Sequence, residues 1–229
     1  MKTSLTLIIA LVALGGAGAG YAQGFKFSQE DSTAKGQDEA RQQAIAERLS
    51  TPCGDQLKDK KIMLIIGEQQ SGGGILANQD NYGPHFQVIN QRLRALGLRT
   101  YTPAEIKKQV AQAEIDAYFK GNPDGALSAS RRLGANFVLR GLITANTSVN
   151  PVIRVNEVTV NLGFSLADNN GRMISDATAQ GGSFSGSDIR SAAARLINEQ
   201  ADEVVAKLYS DYCSKGAGAP KTSEPKRKK

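Results

Sequence analysis

The feature that constrains the fold most is a strictly alternating stretch in the second half of the chain. Within residues 155–166 an apolar side chain occupies every second position, which indicates a strand with one buried face; these side chains are Val158, Val160, Leu162, Phe164 and Leu166. The sequence Asp168-Asn-Asn-Gly171 follows, and Asn and Gly accept the left-handed conformations of a tight hairpin turn. We therefore predict that residues 172–184 return as the antiparallel partner strand.

The first half of the chain has a different pattern. Residues 60–67 form a continuous apolar run, typical of a strand buried on both faces of a sheet. Further strands are predicted at 98–101 and 136–145, and helices at 35–49, 84–96, 103–120, 123–133 and 187–212. The fold class that this order predicts is α/β: a single two- or three-layer sandwich, with a mixed sheet, an antiparallel C-terminal meander and a long C-terminal helix.

The N-terminus has the pattern of an export signal. Lys2 precedes the apolar segment 5–14, and small residues at 15–22 offer Ala17-Gly-Ala19 or Gly20-Tyr-Ala22 as cleavage sites. We expect residues 1–22 to be a signal peptide, 23–57 an N-terminal extension with one helix, 58–213 the α/β domain, and 214–229 a disordered basic tail. The protein is thus expected in the periplasm, either free or associated with the outer membrane.

The positive charge of the chain is concentrated in its tail. Of the net charge of +6, residues 215–229 carry five and the signal carries one, so residues 23–214 are neutral. A basic surface for nucleic acid is therefore not supported. The last four residues are instead candidates for contact with an anionic membrane surface; they are Lys226, Arg227, Lys228 and Lys229.

The two cysteines flank almost everything that is predicted to fold. In an oxidising compartment such a pair favours a disulfide, so we predict that Cys53 and Cys213 are bridged. A metal or redox site would need other spacings and further ligands, and none is predicted.

A glycine-rich segment after the first strand resembles a phosphate-binding loop only in part. Gly67 and Gly72 have the spacing of that motif, but Gly73 and Gly74 stand where its Lys and its hydroxyl residue belong. We interpret residues 68–83 as a partner-contact loop, because loops on a rigid sheet carry function. Its candidate contact residues are Gln70, Ser71, Asn78, Asp80 and Tyr82.

Other catalytic and ligand-binding patterns are incomplete. His85 is the sole histidine and has no free thiol to activate. The segment beginning at Asn78 fails as a calcium loop, because Ile89 occupies the position of the bidentate Glu. Nothing selects a pair of carboxylates among Glu68, Asp80 and Glu157. We predict no catalytic residue, no metal and no cofactor.

Three stretches resemble a group of bacterial envelope proteins. They are Leu133-Gly-Ala-Asn-Phe-Val-Leu-Arg-Gly-Leu-Ile143, the strand and turn from Val158 to Met173, and the Gly/Ser-rich passage 181–187 before the last helix. Over residues 58–212 the chain is similar to the flagellar assembly T proteins, the curli-secretion lipoproteins, the outer-membrane activators of penicillin-binding proteins and the TolB N-terminal domain. The lipid-anchored members carry an N-terminal Cys that this sequence lacks.

The resemblance implies a non-enzymatic accessory that binds partners in a flagellar, secretion or cell-wall-synthesis complex. Its partners would be envelope proteins, including copies of itself. The alternative is a soluble periplasmic binder of a small ligand or of cell-wall glycan. A partner-binding module would present a surface patch, whereas a ligand binder needs a concave pocket with convergent polar groups.

Overall fold

The computed structural model describes residues 28–69, 75–77, 84–185 and 188–215. Residues Met1–Asp38 and Glu39–Lys229 form two units, and the sheet lies within the second. In chain order the elements are α1 Ser28–Leu49, α2 Gly54–Leu57, β1 Lys61–Gln69, β2 Ile75–Leu76, α3 Pro84–Ala95, β3 Arg99–Thr100, α4 Pro103–Gln109, α5 Gln112–Phe119, α6 Asp124–Leu133, β4 Phe137–Val149, β5 Asn156–Asp168, β6 Met173–Ser185 and α7 Ile189–Lys215.

The strands form one mixed sheet, which confirms the predicted fold class. The order is β2-β1-β4-β5-β6, and β3 also pairs with β1. β1 runs parallel to β3 and β4, whereas β4, β5 and β6 form an antiparallel meander. Gly171, at φ +85°, lies in the predicted turn between β5 and β6, where the Asp168 carboxylate accepts hydrogen bonds from the amides of Asn170 and Arg172 at 2.9 Å.

Two apolar clusters lie on opposite faces of the sheet. On the face that we call the upper face, α3 and α7 pack over all four long strands, with Leu64, Leu139 and Phe164 in the centre. On the opposite, lower face, α4, α5 and α6 pack over β1 and the beginning of β4, around Met63, Ile65 and other side chains; the rest of this cluster includes Ile106, Ile115, Ala129 and Val138. The lower cluster contains no residue of β5 or β6.

A disulfide joins the segment before β1 to the end of α7. Cys53 and Cys213 are bonded, with their Cα atoms 5.7 Å apart, as the sequence predicts. Next to the disulfide, the Tyr209 hydroxyl donates a hydrogen bond of 2.5 Å to the Thr51 carbonyl. Both contacts fasten the segment before β1 to the helix that covers the upper face.

The single helix predicted over residues 103–120 is wrong, because α4 and α5 are separate helices. Ile106 and Ile115 are nine residues apart, so a continuous helix would point them in opposite directions. The break at Val110, which has extended φ and ψ of −121° and 116°, turns both side chains into the lower cluster. Each helix has its own N-terminal hydrogen bond, from Thr102 N to Glu105 at 2.7 Å and from Ala111 N to Glu114 at 2.9 Å.

Several boundaries also differ from the prediction. α1 begins at Ser28, although residues 23–34 lack an apolar stripe, and α2 was not predicted. β2 lies within the segment predicted as loop, and β4 continues four residues past Ala145.

The N-cap of α7 within the described chain is Asp188, whose carboxylate accepts a hydrogen bond from Ser191 N at 3.0 Å. A hydrogen bond with the Ser191 side chain and, to a smaller extent, this backbone hydrogen bond lower the pKa of Asp188. The predicted cap, Ser187, lies outside the described residues.

Candidate functional site

The contact sites predicted from the sequence cannot be placed in the structure. The loop residues Gln70, Ser71, Asn78, Asp80 and Tyr82 lie outside the described residues, as do the basic residues 226–229 and the signal 1–22. They stay predictions. Among the described residues, no helix is long and apolar enough to cross a membrane.

His85 lies at the start of α3 and faces a carboxylate. Its Nε2 is 3.8 Å from Oε1 of Glu68, at the end of β1. Of the carboxylates considered for glycoside cleavage, Glu68 and Glu157 do not come together: Glu68 is aligned through β4 with Leu162 of β5, and Glu157 is five residues further along β5. Five residues of a strand span about 16 Å. In the described part of the chain, no three His, Cys, Asp or Glu side chains are grouped as metal ligands.

The most distinctive surface is the lower face of the sheet beyond the reach of α4, α5 and α6. There the side chains that alternate with the core residues of β4, β5 and β6 line a cavity of about 490 Å³, to which Glu203 of α7 also contributes. We call this surface the open face. Its residues are Leu142, Thr144, Asn161, Gly163, Thr178 and Gln180.

The chemistry of the open face is that of neutral hydrogen-bonding groups. The strand register places Leu142, Gly163 and Thr178 in one row across the sheet, and Thr144, Asn161 and Gln180 in the next. The amides and hydroxyls of the second row can donate and accept hydrogen bonds. Gly163 leaves the middle of the first row without a side chain, and a Cβ atom there would meet nothing within 4 Å.

Arg140 borders the open face on the side of α5. Its guanidinium carbon lies 5.6 Å from the ring centre of Tyr118 and 5.3 Å from that of Phe119, both of α5. Burial raises the pKa of the Tyr118 hydroxyl, and the charge of Arg140 lowers it in part. These contacts hold the Arg140 guanidinium at the border between α5 and the open face. Its positive charge is two residues from Leu142 on the same face of β4.

The outer strand of the open face is also an edge of the sheet. β6 is thirteen residues long and has β5 on one side only. Natural edge strands are commonly short or carry Lys or Pro, which hinder pairing with another chain. β6 contains no Lys, Arg or Pro. The open face and this edge are therefore continuous, and together they offer a surface and a row of backbone groups to a partner.

Two other cavities differ in kind from the open face. The cavity between α3, α7 and the sheet measures about 20 Å³ and is lined by core residues such as Leu93 and Leu139, so it has room for about one water molecule. A groove of about 730 Å³ lies between α3, β3 and α4. Arg94, Arg99 and Asn90 line this groove, and the Asn90 side-chain oxygen is buried there without a hydrogen-bond partner.

Sequence reasoning did not find the open face. The alternation of β5 identifies the buried residues and shows that Asn161 and Gly163 lie on the opposite face. It does not show which strands the helices α4, α5 and α6 cover. That coverage depends on the parallel crossover connections, which place these helices over β1 and β4.

The comparisons with known proteins concern the fold. No protein-family model matches the sequence, and no curated protein is significantly similar to it. Among solved structures, the chain is similar to the PelC dodecamer from Paraburkholderia phytofirmans, with 21% identity over 66% of this chain and 88% of that chain and a TM-score of 0.40. It is also similar to a minor lipoprotein from Acinetobacter baumannii, with 14% identity over 66% and 94% of the two chains and a TM-score of 0.40.

A third similar structure is the LpoB C-terminal domain from Salmonella enterica, with 15% identity over 61% of this chain and 93% of that chain and a TM-score of 0.37. The chain thus resembles these bacterial structures, one of which is described as a lipoprotein, in fold and at low identity. At these scores the likeness carries no conclusion about ligands or partners. The finer resemblance to flagellar assembly T and curli-secretion proteins stays a prediction.

Proposed function

We propose that this protein is an exported, non-enzymatic module that binds a protein partner in a cell-envelope assembly through the open face and the free edge of β6. The observation that carries the proposal is the lower face of β5 and β6, which the helices α4, α5 and α6 do not cover, and where a thirteen-residue edge strand without Lys or Pro adjoins a row of hydroxyl and amide side chains. A partner strand can extend such a sheet by main-chain hydrogen bonds, and the adjacent side chains then select the partner.

The compartment is part of the same proposal. Residues 1–22 have the pattern of an export signal, and the Cys53–Cys213 disulfide favours an oxidising compartment. A flagellar, secretion or cell-wall-synthesis complex of the periplasm or outer membrane would be the assembly served. The contact loop at 70–82 and the basic residues 226–229 would supply further contacts to partners or to the membrane surface.

The test is recovery of the partner by cross-linking in intact cells. The exported protein is cross-linked in the cells that produce it, purified under denaturing conditions, and its adducts are identified by mass spectrometry. The open-face variant Gln180→Lys is compared with Gln91→Lys, which makes the same change on an exposed position of α3.

We expect the wild type and Gln91→Lys to recover the same envelope complex, and Gln180→Lys to lose it. An added charge facing a partner surface costs binding because it must be desolvated. Recovery of the protein alone would contradict partner binding. Equal recovery by both variants would contradict the role of the open face.

A second candidate function is favoured by the groove between α3, β3 and α4. Arg94 and Arg99 can bind a carboxylate in a groove that Asp59 and Glu105 also line, and Asn90 offers an unpaired oxygen to a donor group. The ligand would be a small anionic molecule or a cell-wall fragment that carries carboxylates. A melting temperature that rises with peptidoglycan fragments, and that does not rise in Arg94→Ala/Arg99→Ala, would support this function. The absence of any rise in the wild type would exclude it.

A further inference from the structure

The hairpin between β4 and β5 projects beyond the end of β1, and β6 accompanies it as far as Ser185, which pairs with Asn156. β1 ends at Gln69, opposite Thr144, and β4 continues for five more residues to Val149. Five residues of a strand span about 16 Å. All five are exposed, so this end of β4 is not covered by any described helix or strand on its β1 side.

The tip of this hairpin carries large aliphatic side chains in contact with solvent. Val149 is 63% exposed, Val152 is 86% exposed and Ile153 is 56% exposed. Phe184, which is 59% exposed, lies at the same end of the sheet, because it pairs with Glu157, which in turn pairs with Ser148 of β4. Clustered exposed apolar side chains mark an interaction site.

Hydrogen bonds hold the tip in one conformation. The Asn150 side-chain oxygen accepts from the amides of Val152 at 3.0 Å and Ile153 at 3.2 Å. The Asn150 amide donates to the Val155 carbonyl, and its carbonyl accepts from the Arg154 amide, each at 2.9 Å. The aliphatic side chains are thus displayed by an ordered turn, and little conformational entropy is lost when they are buried.

We propose that this tip, defined as residues 149–153, inserts into the surface of a lipid bilayer. A stable protein interface buries about 800 Å² on each partner, which a convex tip of five residues does not offer. Val is also under-represented among the residues that dominate protein interfaces. A bilayer requires neither a large nor a complementary surface, because binding to it grows with the apolar area that is buried.

The charges around the tip agree with a contact driven by apolar side chains. Arg154 and Arg190 are exposed at this end of the molecule, and the acidic side chains of Glu157 and Asp188 lie at the same end. This balance gives no strong attraction to anionic lipid. Binding by the tip should therefore persist at high salt, whereas any contribution of the basic residues 226–229 should be screened. The contact is separate from the partner surface on the open face.

The absence of Trp from the chain allows a direct measurement of insertion. A single Trp is introduced as Val152→Trp at the tip, or as Met173→Trp at the start of β6. Met173 is 59% exposed and lies at the other end of β5 and β6, so it is a matched control. The exported, purified proteins are mixed at high salt with phosphatidylcholine vesicles, or with equimolar phosphatidylethanolamine and phosphatidylglycerol vesicles, with and without brominated acyl chains.

We expect the emission of the Trp at 152 to shift to shorter wavelength with both kinds of vesicle and to be quenched by brominated lipid. The Trp at 173 should show neither effect. No shift and no quenching at 152, or equal effects at 152 and 173, would overturn the proposal. The absence of both effects at 152 would indicate that the tip contacts a protein and not a bilayer. Equal effects at 152 and 173 would indicate non-specific adsorption to the vesicles.

Sedimentation with vesicles gives an independent readout without Trp. Val152→Ser/Ile153→Ser should lower the apparent partition coefficient about tenfold or more, because two large aliphatic side chains no longer enter the bilayer. Met173→Ser should leave the coefficient unchanged. Circular dichroism verifies that both variants are folded. A tip variant that is folded and binds vesicles like the wild type would also overturn the proposal.

Discussion

The two halves of the sheet differ in how many of their faces are covered. β1 and the beginning of β4 lie between helices on both faces, whereas β5 and β6 have α7 on the upper face and none of the helices α4, α5 and α6 on the lower face. The difference is visible residue by residue: six consecutive residues of β1 from Ile62 are buried, and burial in β5 alternates from Val158 to Leu166.

This contrast teaches how one sheet can serve two purposes. In the doubly covered half, side chains are removed from water on both faces of the sheet. In the singly covered half, β5 and β6 pack against α7 on the upper face, and their lower face can contact a partner. Substitutions in the first half should therefore change stability, and substitutions on the open face should change binding.

The largest effect on stability is expected from the disulfide that joins the segment before β1 to α7. In the chain-entropy model, a disulfide that closes a loop of 160 residues stabilises the fold by about 5 kcal/mol. Cys53→Ala/Cys213→Ala should therefore lower the free energy of unfolding by several kcal/mol, measured by urea titration. An unchanged urea midpoint would mean that α7 does not depend on this tether.

In the doubly covered half, Leu64→Ala should cost about 2–5 kcal/mol, since Leu64 is fully buried and its removal leaves a cavity. The comparison variant is Thr178→Ala on the open face, whose effect should stay within about 0.5 kcal/mol. Urea titration of both variants measures the difference. Similar losses for the two variants would break the division between the halves.

Alanine substitutions at Gly141 and Gly163 compare the two faces of the sheet, because each adds a single methyl group to one face. A Cβ atom at Gly141 would overlap the ring of Phe164 on the upper face, whereas one at Gly163 would meet open space on the lower face. Gly141→Ala should therefore lower stability by about 1–3 kcal/mol. Gly163→Ala should leave it unchanged or raise it slightly, because alanine has less freedom in the unfolded chain. Thermal unfolding distinguishes them, and a larger loss at Gly163 would contradict the open face.

The contact between α7 and β6 should depend on pH. Partial burial raises the pKa of Asp211, but the hydrogen bonds that Lys207 and Ser175 donate, each at 2.7 Å, outweigh it, and the net pKa is lowered from its ordinary value of 3.8. Because the folded-state pKa is depressed, this stabilisation is present above pH 3.8 and is lost as the pH falls through the lowered pKa.

The variant Asp211→Asn should therefore be less stable than the wild type at neutral pH by about 1–2 kcal/mol. The difference should shrink below the ordinary Asp pKa of 3.8. Ser175→Ala removes one of the two hydrogen bonds and should show a smaller loss with the same dependence on pH. Urea titrations across this range measure both variants, and a difference that grows on acidification would contradict the assignment.

The smallest effects on stability are expected on the open face itself. Asn161→Ala and Gln180→Ala should unfold like the wild type, because neither side chain contacts a covering helix. Their effect should appear in the yield of the cross-linked envelope complex, which should fall. A loss of stability in either variant would mean that this surface serves the fold.

Much of the fold could be predicted from local sequence patterns. The alternation of β5 and the Asp168–Gly171 turn determine the hairpin, and the apolar run of β1 determines a strand covered on both faces. The predicted helix at 123–133 also ends where α6 ends, at Leu133, and Gly134 follows with φ +68°. These features depend on side-chain periodicity and on backbone freedom at single residues, which are properties of neighbouring positions.

The rest depends on contacts between distant residues. The break between α4 and α5 arises because Ile106 and Ile115 must both reach the same cluster, and helix-forming residues such as Gln112 and Ala113 give no sign of it. The open face depends on where three helices end relative to a sheet. The exposure of Val152 depends on the length of β4 beyond β1, and a valine in a sequence does not indicate whether it will be buried.

The most direct test of the division between the two halves is site-specific photo-crosslinking in intact cells. A benzophenone amino acid is placed at Thr178 on the open face or at Gln91 on α3, and adducts are identified by mass spectrometry. The account predicts a discrete adduct with an envelope protein from position 178, none from position 91, and loss of the adduct when Gln180→Lys is added. Equal adducts from both positions, or none from position 178, would contradict it.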